Sequence, residues 1–406
     1  MDYEVAKERL ARYGQEHVLR YYDNLKDSNK EALLAAIEKI DFSIFSNIIW
    51  ERDKKLGELS PCDALSLKQI KKHRAAYEAV GLEAIRAGKV GAVLLAGGQG
   101  TRLGWSGPKG TYNMGEEKEL SIFACQMHNL VQVCKKAGVF VHLFIMTSDI
   151  TDAATREFFE AHEYFGYEKD KVHFYVQAVA PAISFDGKIL MEERYMPVFA
   201  PNGNGGWFTA LEKAGMGRII RKNGIEWLNV YGVDNVLQKI CDPVFVGATI
   251  SSGSACGSKV VSKVAPDEKV GVLCKEDGIS TIVEYYEMPE RLKIRHDING
   301  ELTYRYGVIL NYLFNVEKLR TANKRTLPYH LAKKKIACIK GGKKIEPEEP
   351  NGYKLELLAV DLVKLMGSCL AFEVEREKEF APVKNRTGND SVDTARELLK
   401  KNGFKL

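Results

Sequence analysis

The feature that most constrains this chain is an apolar run that leads directly into a glycine-rich loop. The run Val90–Ala96 contains only glycine and apolar residues, which predicts a strand buried on both faces. The loop after it, residues 97–104, reads GGQGTRLG. Glycines at such a point let backbone N–H groups approach phosphate oxygens closely. The sequence therefore predicts a sheet with an anion site at one edge.

Strand-like and helix-like segments alternate along much of the remaining chain. Further strands are predicted at Val139–Met146, Val172–Val176, Trp227–Val233, Lys259–Val264 and Thr281–Tyr285. Helices are predicted between them, including Ile122–Ala137 and Thr151–His162. This alternation implies a Rossmann-like α/β fold, with a largely parallel sheet covered by helices. Turn sequences at residues 276–278 and 299–300 predict an antiparallel extension, so the sheet is expected to be mixed.

The regions on either side of this pattern differ in character. Residues 1–88 are predicted to be helical, with a capping box formed by Ser28 and Glu31. A last helix is predicted at Ser391–Lys401, after lysine-rich and proline-rich loops. The predicted division is a helical N-terminal region (1–88), a catalytic α/β domain (89–314) and a small C-terminal domain or lid (315–406).

The composition argues against several classes of protein. A formal net charge of +5 over 406 residues is too small for the dense basic face of a nucleic-acid binder. No apolar run approaches the ~20 residues of a membrane span, and no secretory signal is visible. The cysteines form no C-x-x-C pair and the histidines no metal-ligand spacing, so no zinc site is predicted. Scattered thiols are typical of a cytoplasmic protein.

Several kinds of nucleotide loop begin with glycines and differ in the residues that follow. A dinucleotide-binding turn needs a third glycine where Leu103 stands. A P-loop needs G-K-[ST], which is absent. A nucleotidyltransferase loop, GGxGTRL followed by PK, matches, and its Arg102 and Lys109 supply the cations that a triphosphate needs when pyrophosphate leaves. On these residues alone, a purely structural glycine turn remains an alternative.

Segments far apart in the chain carry a resemblance to a known family. They are Met146–Ser148, Phe158–Gly166, Pro181–Gly187, Pro201–Gly206, Val233–Asn235, Val283–Tyr285, Pro350–Gly352 and Phe380–Asn385. Together with the loop, they resemble the eukaryotic-type UDP-sugar pyrophosphorylases, and most closely the UDP-N-acetylhexosamine pyrophosphorylases. The resemblance implies a nucleotidyltransferase domain that joins UTP to a sugar 1-phosphate, first of all N-acetylglucosamine 1-phosphate, and releases pyrophosphate.

The resemblance also implies roles for residues of this sequence. The nucleotide would be bound by Leu95, Ala96, Gly97 and Gly98 through their backbone, by Gln177 at the uracil edge, by Gly203 and by Lys354. The sugar would be bound by Asn204, Gly271, Glu284 and Tyr285. The catalytic cations would be Arg102, Lys109 and Lys384. Such a site works by positioning and charge stabilisation, so no covalent intermediate is expected.

Asp234 is the predicted metal ligand. It follows the strand-like run Trp227–Val233, and the carboxyl ends of parallel strands face the ligand crevice in sheets of this kind. A carboxylate there suits Mg²⁺ or Mn²⁺, because such an ion takes one or two carboxylates together with phosphate oxygens and water. The alternative for a single aspartate is that it caps the next turn, and the resemblance favours the metal.

Three departures from the family pattern concern the sugar. Val308 stands where the family has a sugar-contacting asparagine, Leu358 and Val360 stand where it has an aromatic pair, and Asn202 replaces an aspartate. Loss of a hydrogen-bonding side chain changes which substrate group the pocket satisfies. Glucose or galactose 1-phosphate is therefore an alternative substrate.

Two alternatives come from other classes of protein. A regulatory protein could bind UTP without turnover, but binding alone would not require the whole set of Arg102, Lys109, Asp234 and Lys384. An oxidoreductase on a similar sheet would need the missing third glycine. The expected partners are small molecules rather than nucleic acid or membrane, and the oligomeric state is left open.

Overall fold

The computed structural model describes residues 1–50 and 56–406. Contacts group the chain into two units, each of which draws on three segments. The first unit consists of the described part of Met1–Lys55 with Gln177–Gly206 and Thr326–Ala359. The second consists of Leu56–Val176, Trp207–Arg325 and Val360–Leu406.

Thirteen α-helices lie within the described residues. In chain order they are α1 (Tyr3–Arg12), α2 (Asp27–Lys39), α3 (Leu67–Arg86), α4 (Ile122–Ala137), α5 (Asp152–Ala161), α6 (Trp207–Lys213), α7 (Gly217–Lys222), α8 (Pro243–Ser252), α9 (Glu290–Lys293), α10 (Val316–Ala322), α11 (Ala359–Met366), α12 (Arg376–Glu379) and α13 (Val392–Lys401). None of these helices combines the length and the apolar character needed to cross a bilayer.

Twenty strands lie within the same residues. They are β1 (Leu59–Pro61), β2 (Ala64–Leu65), β3 (Val90–Leu95), β4 (Leu143–Thr147), β5 (Val172–Val176), β6 (Val179–Pro181), β7 (Ile183–Ser184), β8 (Met191–Glu193), β9 (Met196–Pro197), β10 (Phe199–Pro201), β11 (Trp227–Gly232), β12 (Cys256–Ser262), β13 (Val272–Glu276), β14 (Ile279–Val283), β15 (Tyr306–Asn315), β16 (His330–Lys334), β17 (Cys338–Lys340), β18 (Lys343–Ile345), β19 (Gly352–Glu356) and β20 (Cys369–Glu373).

The second unit is built on a mixed sheet of eleven described strands. Its main path runs β2-β20-β12-β15-β11-β3-β4-β5. The strands β11, β3, β4 and β5 are parallel neighbours, whereas β15 is antiparallel to both β11 and β12. An antiparallel extension is formed by β1, β13 and β14. Every residue of β3 is buried, as its apolar run requires. The predicted α/β class with a mixed sheet is confirmed.

Several predicted segments have the observed bounds, and others differ at their ends. The helix α4 and the strand β5 match their predictions, and the 276–278 turn joins β13 to β14. Asp277 and Gly278 have φ values of 51° and 80° there, as a two-residue hairpin turn demands. By contrast, β4 begins four residues later than predicted, because Gly138 ends α4 in a left-handed conformation and a loop follows.

The predicted capping box at Ser28 is wrong. The helix α2 already begins at Asp27, and its N-cap residue, Lys26, makes no side-chain capping bond. Asp27 places a negative charge in the first turn instead, where it interacts favourably with the positive end of the helix dipole. A capping box occurs at the start of α3, between Ser66 and Gln69.

The first unit has a separate apolar core and small antiparallel sheets. Leu33 of α2 packs in this core with Ile189 and Met191. The strands pair as β16-β19-β7, β10-β6, β17-β18 and β8-β9. The grouping into units differs from the three consecutive ranges predicted from the sequence. In particular, α3 and β2 belong to the second unit, and β20 lies inside its main sheet rather than in a separate C-terminal lid.

The helices α3 and α8 approach each other closely at two glycines. A Cβ on Gly81 would lie 1.9 Å from the Pro243 carbonyl oxygen, and one on Gly247 would lie 1.7 Å from the Tyr77 carbonyl oxygen. Both distances are far below van der Waals contact, and both involve backbone, so a side chain at either position would force the helices apart. The glycines are retained although glycine inside a helix normally costs about 1 kcal/mol relative to alanine.

We expect Gly247→Ala to destabilise the protein, although alanine is the better helix former. Overpacking of this kind typically costs about 1–3 kcal/mol in the free energy of unfolding, which chemical denaturation would measure. The control is Ala75→Gly on the exposed face of α3, which changes helix propensity alone and should cost about 1 kcal/mol. A Gly247→Ala protein as stable as the wild type would contradict the close approach of the two helices.

Candidate active site

The glycine-rich loop leaves β3 at Leu95 and is closed by backbone hydrogen bonds. Lys109 N donates to Gly98 O at 3.0 Å, and Gly100 N donates to Gly107 O at 3.1 Å. These bonds fold the loop back on itself. Lys109 therefore lies beside Gly98, at the carboxyl end of β3.

Space in front of Gly98 is open. A Cβ on Gly98 would have no described atom within 4 Å, and its φ is not positive. Gly110 in the same loop differs, because a Cβ there would lie 2.1 Å from the buried ring of Phe123. Packing within the described residues explains the glycine at 110 but not the one at 98. Close approach of a ligand to the backbone would explain Gly98.

Asp234 lies at the same edge of the sheet as the loop. The strand β11 pairs in parallel with β3, with Gly232 opposite Leu95, and Val233 N donates to Leu95 O at 3.1 Å. Because parallel neighbours end at one edge, Asp234 follows β11 where the loop follows β3. The buried Gln126 fixes this turn by donating its Nε2 to Gly232 O at 2.9 Å.

Lys384 reaches this edge because the segment before it is bonded to the turn after β11. Val383 N donates to Asp234 O at 2.7 Å. The buried side chain of Asn235 donates its Nδ2 to Glu379 O at 2.7 Å, and its Oδ1 accepts the backbone N–H of Ala381 at 2.9 Å. These bonds hold residues 379–383 against the end of β11.

A buried lysine fastens the same segment from β12. Lys259 is fully buried, and its Nζ lies 2.6 Å from Glu379 Oε2 and 3.0 Å from Asp242 Oδ2. Burial opposes the charged form, but the two carboxylates outweigh it and the pKa of Lys259 is raised. Loss of one partner from such a group typically costs about 3–5 kcal/mol, because a buried charge is left unpaired. The segment that carries Lys384 is therefore an integral part of the second unit.

Three cations and one carboxylate interact at the edge of the sheet. Burial lowers the pKa of the Lys109 ammonium below its ordinary value, and the nearby charges of Lys384 and Arg102 lower it further. Asp234 acts in the opposite direction, since its carboxylate favours the charged ammonium. Cations gathered in one place repel each other, and together they attract a polyanionic ligand.

The cations at this edge have weak partners or none. Lys384 Nζ lies 3.2 Å from Asp390 Oδ2, and the two side chains are 34% and 40% exposed. An ion pair with that exposure contributes at most about 1 kcal/mol, so a phosphate group can displace it. Arg102 is exposed, and its side chain has neither an ion pair nor a hydrogen bond within residues 1–50 and 56–406.

Gly271, Glu284 and Val308 lie together in the second unit. A Cβ on Gly271 would lie 3.4 Å from Val308 Cγ2 and 3.5 Å from Glu284 Oε1, and Val308 N donates to Gly271 O at 2.9 Å. Tyr285 follows Glu284 and packs edge-on against Tyr286. The structure therefore places two of the predicted sugar residues beside the residue that departs from the family pattern. Their roles in binding stay predictions.

Four of the predicted residues belong to the first unit. Gly203 has a φ of 86°, and a Cβ there would lie 2.4 Å from Leu357 O, so local geometry already requires glycine. Asn204 Oδ1 accepts a backbone N–H from the start of α11 at 3.0 Å, which orders the same turn. Gln177 and Lys354 are half-buried, and their side chains make no hydrogen bond or ion pair with the described residues. Their contacts with a nucleotide stay predictions.

Sequence reasoning did not identify the residues that hold the site together. Asn235 directly follows Asp234, but nothing in the sequence shows that its amide bonds a segment more than 140 positions away. Lys259 gave a weak signal, since a lysine beside two valines in a strand needs a buried partner. Neither side chain contacts the open space at Gly98, so both act by positioning other residues.

One family and several of its relatives match the chain over most of its length. The family described as UTP–glucose-1-phosphate uridylyltransferase matches residues 42–396. UDP-N-acetylglucosamine diphosphorylase 2 of Arabidopsis thaliana is 37% identical, over 97% of this chain and 82% of the relative. UDP-N-acetylglucosamine pyrophosphorylase of Saccharomyces cerevisiae is 35% identical, over 96% of this chain and 88% of the relative.

Solved structures are similar over comparable lengths. The uridine diphosphate N-acetylglucosamine pyrophosphorylase of Trypanosoma brucei has a TM-score of 0.84 and is 31% identical, over 98% of this chain and 84% of that chain. The UDP-glucose phosphorylase of the same organism has a TM-score of 0.67 at 19% identity, over 90% of this chain and 79% of that chain. At that low identity the second similarity shows the fold alone.

We expect Gly98→Ala to weaken UTP binding without destabilising the protein. The added methyl group points into open space within the protein, so the melting temperature should stay unchanged. The same methyl would keep a ligand from the backbone, and we expect the dissociation constant measured by calorimetry to rise about tenfold or more. Gly110→Ala is the matched control, since it should lower stability through its clash with Phe123. Unchanged UTP affinity in Gly98→Ala would contradict this account of the loop.

We expect Lys109→Met to raise the stability of the ligand-free protein at pH 7. The pKa of Lys109 is lower in the folded than in the unfolded protein. At a pH where the lysine is charged, its positive charge therefore reduces the stability of the folded state. This destabilisation is greatest below the lowered pKa of Lys109 and disappears as the pH rises to the ordinary value of 10.5. Thermal melts at both pH values would therefore show a stabilisation at pH 7 that shrinks near pH 10. Lys118→Met, at an exposed position, is the control, and a stabilisation of equal size there would refute the argument.

Proposed function

The chain belongs to the family of UTP–glucose-1-phosphate uridylyltransferases, and from this premise we propose that it transfers a uridylyl group from UTP to a sugar 1-phosphate. The products are a UDP-sugar and pyrophosphate. N-acetylglucosamine 1-phosphate is the proposed sugar substrate, because the relatives at 35% and 37% identity carry N-acetylglucosamine in their names.

The observation that carries this proposal is the convergence of charges at one edge of the main sheet. Lys109 is close enough to Asp234, Lys384 and Arg102 for all three to act on its pKa. These residues come from three distant parts of the chain, and ordered hydrogen bonds bring two of those parts together. A binding protein for an uncharged ligand would not need such a cluster.

The cations suit a reaction between two anions. A phosphate oxygen of the sugar attacks the α-phosphorus of UTP in line with the departing pyrophosphate. Arg102, Lys109 and Lys384 reduce the repulsion between the reactants and stabilise the charge that develops on the leaving group. Hydrogen bonds hold the backbone segments that carry Lys109 and Lys384 before the ligand arrives, which limits the reorganisation needed at the moment of reaction. No side chain has to act as a nucleophile.

The donor set at Asp234 fits a magnesium ion rather than zinc. Among the described residues there is no group of three histidine, cysteine, aspartate or glutamate side chains that could hold a metal. A single half-buried carboxylate at the end of β11 suits Mg²⁺ or Mn²⁺, which would take its remaining ligands from phosphate oxygens and water. When bound, the ion would draw charge away from the phosphates. Asp234 would be the protein residue that holds it.

A second sugar is favoured by a specific observation. Val308 lies against Gly271 and near Glu284, so an apolar side chain forms part of the predicted sugar pocket. An apolar wall discriminates weakly between substrates that differ in one polar group. Glucose 1-phosphate and galactose 1-phosphate are therefore the alternative substrates.

The cytoplasm is the proposed location of the activity. All eight cysteines are free thiols, and six of them are buried. Thiols remain reduced in the cytoplasm, where disulfides are rare. The proposed partners are the two small-molecule substrates.

Release of pyrophosphate would test the function directly. The purified protein should release pyrophosphate when it is given UTP, Mg²⁺ and N-acetylglucosamine 1-phosphate, and a panel with N-acetylgalactosamine, glucose and galactose 1-phosphates would rank the sugars. Folded protein that binds UTP but turns over none of these sugars would reject the proposed enzyme and leave a regulatory role.

We expect Arg102→Ala, Lys109→Ala and Lys384→Ala each to reduce kcat by about 100-fold or more, as removal of one preorganised charge-stabilising group does. The same pyrophosphate assay would measure this loss under saturating UTP. Lys239→Ala is the control, because this exposed lysine pairs with Glu379 and has no part in the proposed chemistry. A variant with near wild-type turnover would remove that residue from the mechanism.

A further inference from the structure

The strand β15 contains a bulge where it passes the turn at Asp234. Its pairing with β12 shifts between Ser258, which faces Tyr312, and Val260, which faces Val308. One residue of β12 therefore spans three residues of β15, at positions 309–311. Bulges of this kind bend a strand and redirect a side chain, and they are common next to active sites.

Leu310, in the middle of this bulge, has an unfavourable backbone conformation. Its φ is 50°, in the left-handed region that glycine and asparagine adopt more readily than leucine. Among all strand residues in the described part of the chain, Leu310 is the only non-glycine residue with a positive φ. Strained backbone persists only where the surroundings fix it, and it is concentrated at functional sites.

A chain of three buried amides fixes the bulge. Gln238 Nε2 donates to the carbonyl oxygens of Ile309 and Leu310 at 3.1 and 3.3 Å. Asn311 Nδ2 donates to Gln238 Oε1 at 2.8 Å, and Asn229 Nδ2 donates to Asn311 Oδ1 at 2.8 Å. All three amide side chains have no exposed surface. Such a satisfied network specifies one backbone path and resists relaxation of the strain.

The result of the bulge is the position of the Leu310 side chain. A Cβ built on Gly232 would lie 2.4 Å from Leu310 Cδ2 and 2.8 Å from Asp234 Oδ1. The leucine methyl group and the carboxylate oxygen therefore both lie next to the position that a side chain of residue 232 would fill. Leu310 is half-buried, as is Val308 on the same strand. An apolar group therefore borders one side of the Asp234 carboxylate.

We propose that Leu310 is a positioning residue that holds the Asp234 carboxylate for its divalent cation. The apolar wall limits rotation of the carboxylate and keeps water from one of its oxygens, so the ion meets a preformed ligand. This inference rests on the proposed function, because it concerns the ion that accompanies UTP. It assigns Leu310 a role that acts through Asp234.

The test is Leu310→Gly, which removes the side chain and suits the backbone. Water-proton relaxation would measure the Mn²⁺ that the protein immobilises in the presence of UTP without sugar phosphate. The dissociation constant should rise about tenfold, the lower end of the effect of residues that support metal ligands. The melting temperature without ligand should not fall, because glycine relieves the positive φ. Leu310→Met keeps an apolar group beside Asp234 and should bind Mn²⁺ within about twofold of the wild type.

Several outcomes would overturn the inference. It is wrong if Leu310→Gly binds Mn²⁺ as the wild type does, or if Leu310→Met loses as much affinity. Should the glycine variant not fold, Leu310→Asn provides the same test, because asparagine accepts the left-handed conformation. If the wild type turned over its substrates and the Leu310 variants bound Mn²⁺ as well as the wild type does, the inference would fail and the proposed function would stand. A wild type that immobilised no Mn²⁺ with UTP would refute the proposed function and the inference together.

Discussion

The parallel pairing of β11 with β3 is the constraint on which the candidate site depends. Opposite Leu95 stands Gly232, so the glycine loop and the Asp234 turn leave the sheet at the same level. The hydrogen bond from Val383 to Asp234 then adds a third part of the chain at this point. A slip of one residue in this pairing would turn Asp234 to the other face and separate it from Lys109. Register, rather than any single side chain, therefore assembles the charges.

Much of the fold was accessible from local sequence signals. The buried strand at Val90, the helix at Ile122–Ala137 and the hairpin turn at Asp277 depend on residues close together in the chain, so their patterns predict them directly. The order of strands was less accessible, since it depends on pairings between distant segments. The insertion of β20 beside β12 is an example, because nothing in residues 369–373 indicates that they join the main sheet. For the same reason, the two interleaved units did not follow from chain order.

The candidate site shows the same division between local and distant information. The loop motif and the resemblance pointed to Arg102, Lys109, Asp234 and Lys384, and the structure places these four charges together. The supporting residues escaped prediction, because Asn235, Lys259 and Gln238 act through partners far along the chain. The strain at Leu310 escaped as well, since leucine in a strand-like run gives no sign of a positive φ.

The interleaving of the two units has a consequence for synthesis on the ribosome. The first unit needs residues as late as Ala359 before its three segments are all present. At 5–20 residues per second, the N-terminal helices would wait on the order of 15–60 s for their partners. Leu33 and its apolar neighbours lack part of their buried core until Ile189 and Met191 emerge, about halfway through that time. Nascent chains of this protein are therefore expected to need holdase chaperones early in translation, when the N-terminal helices are exposed.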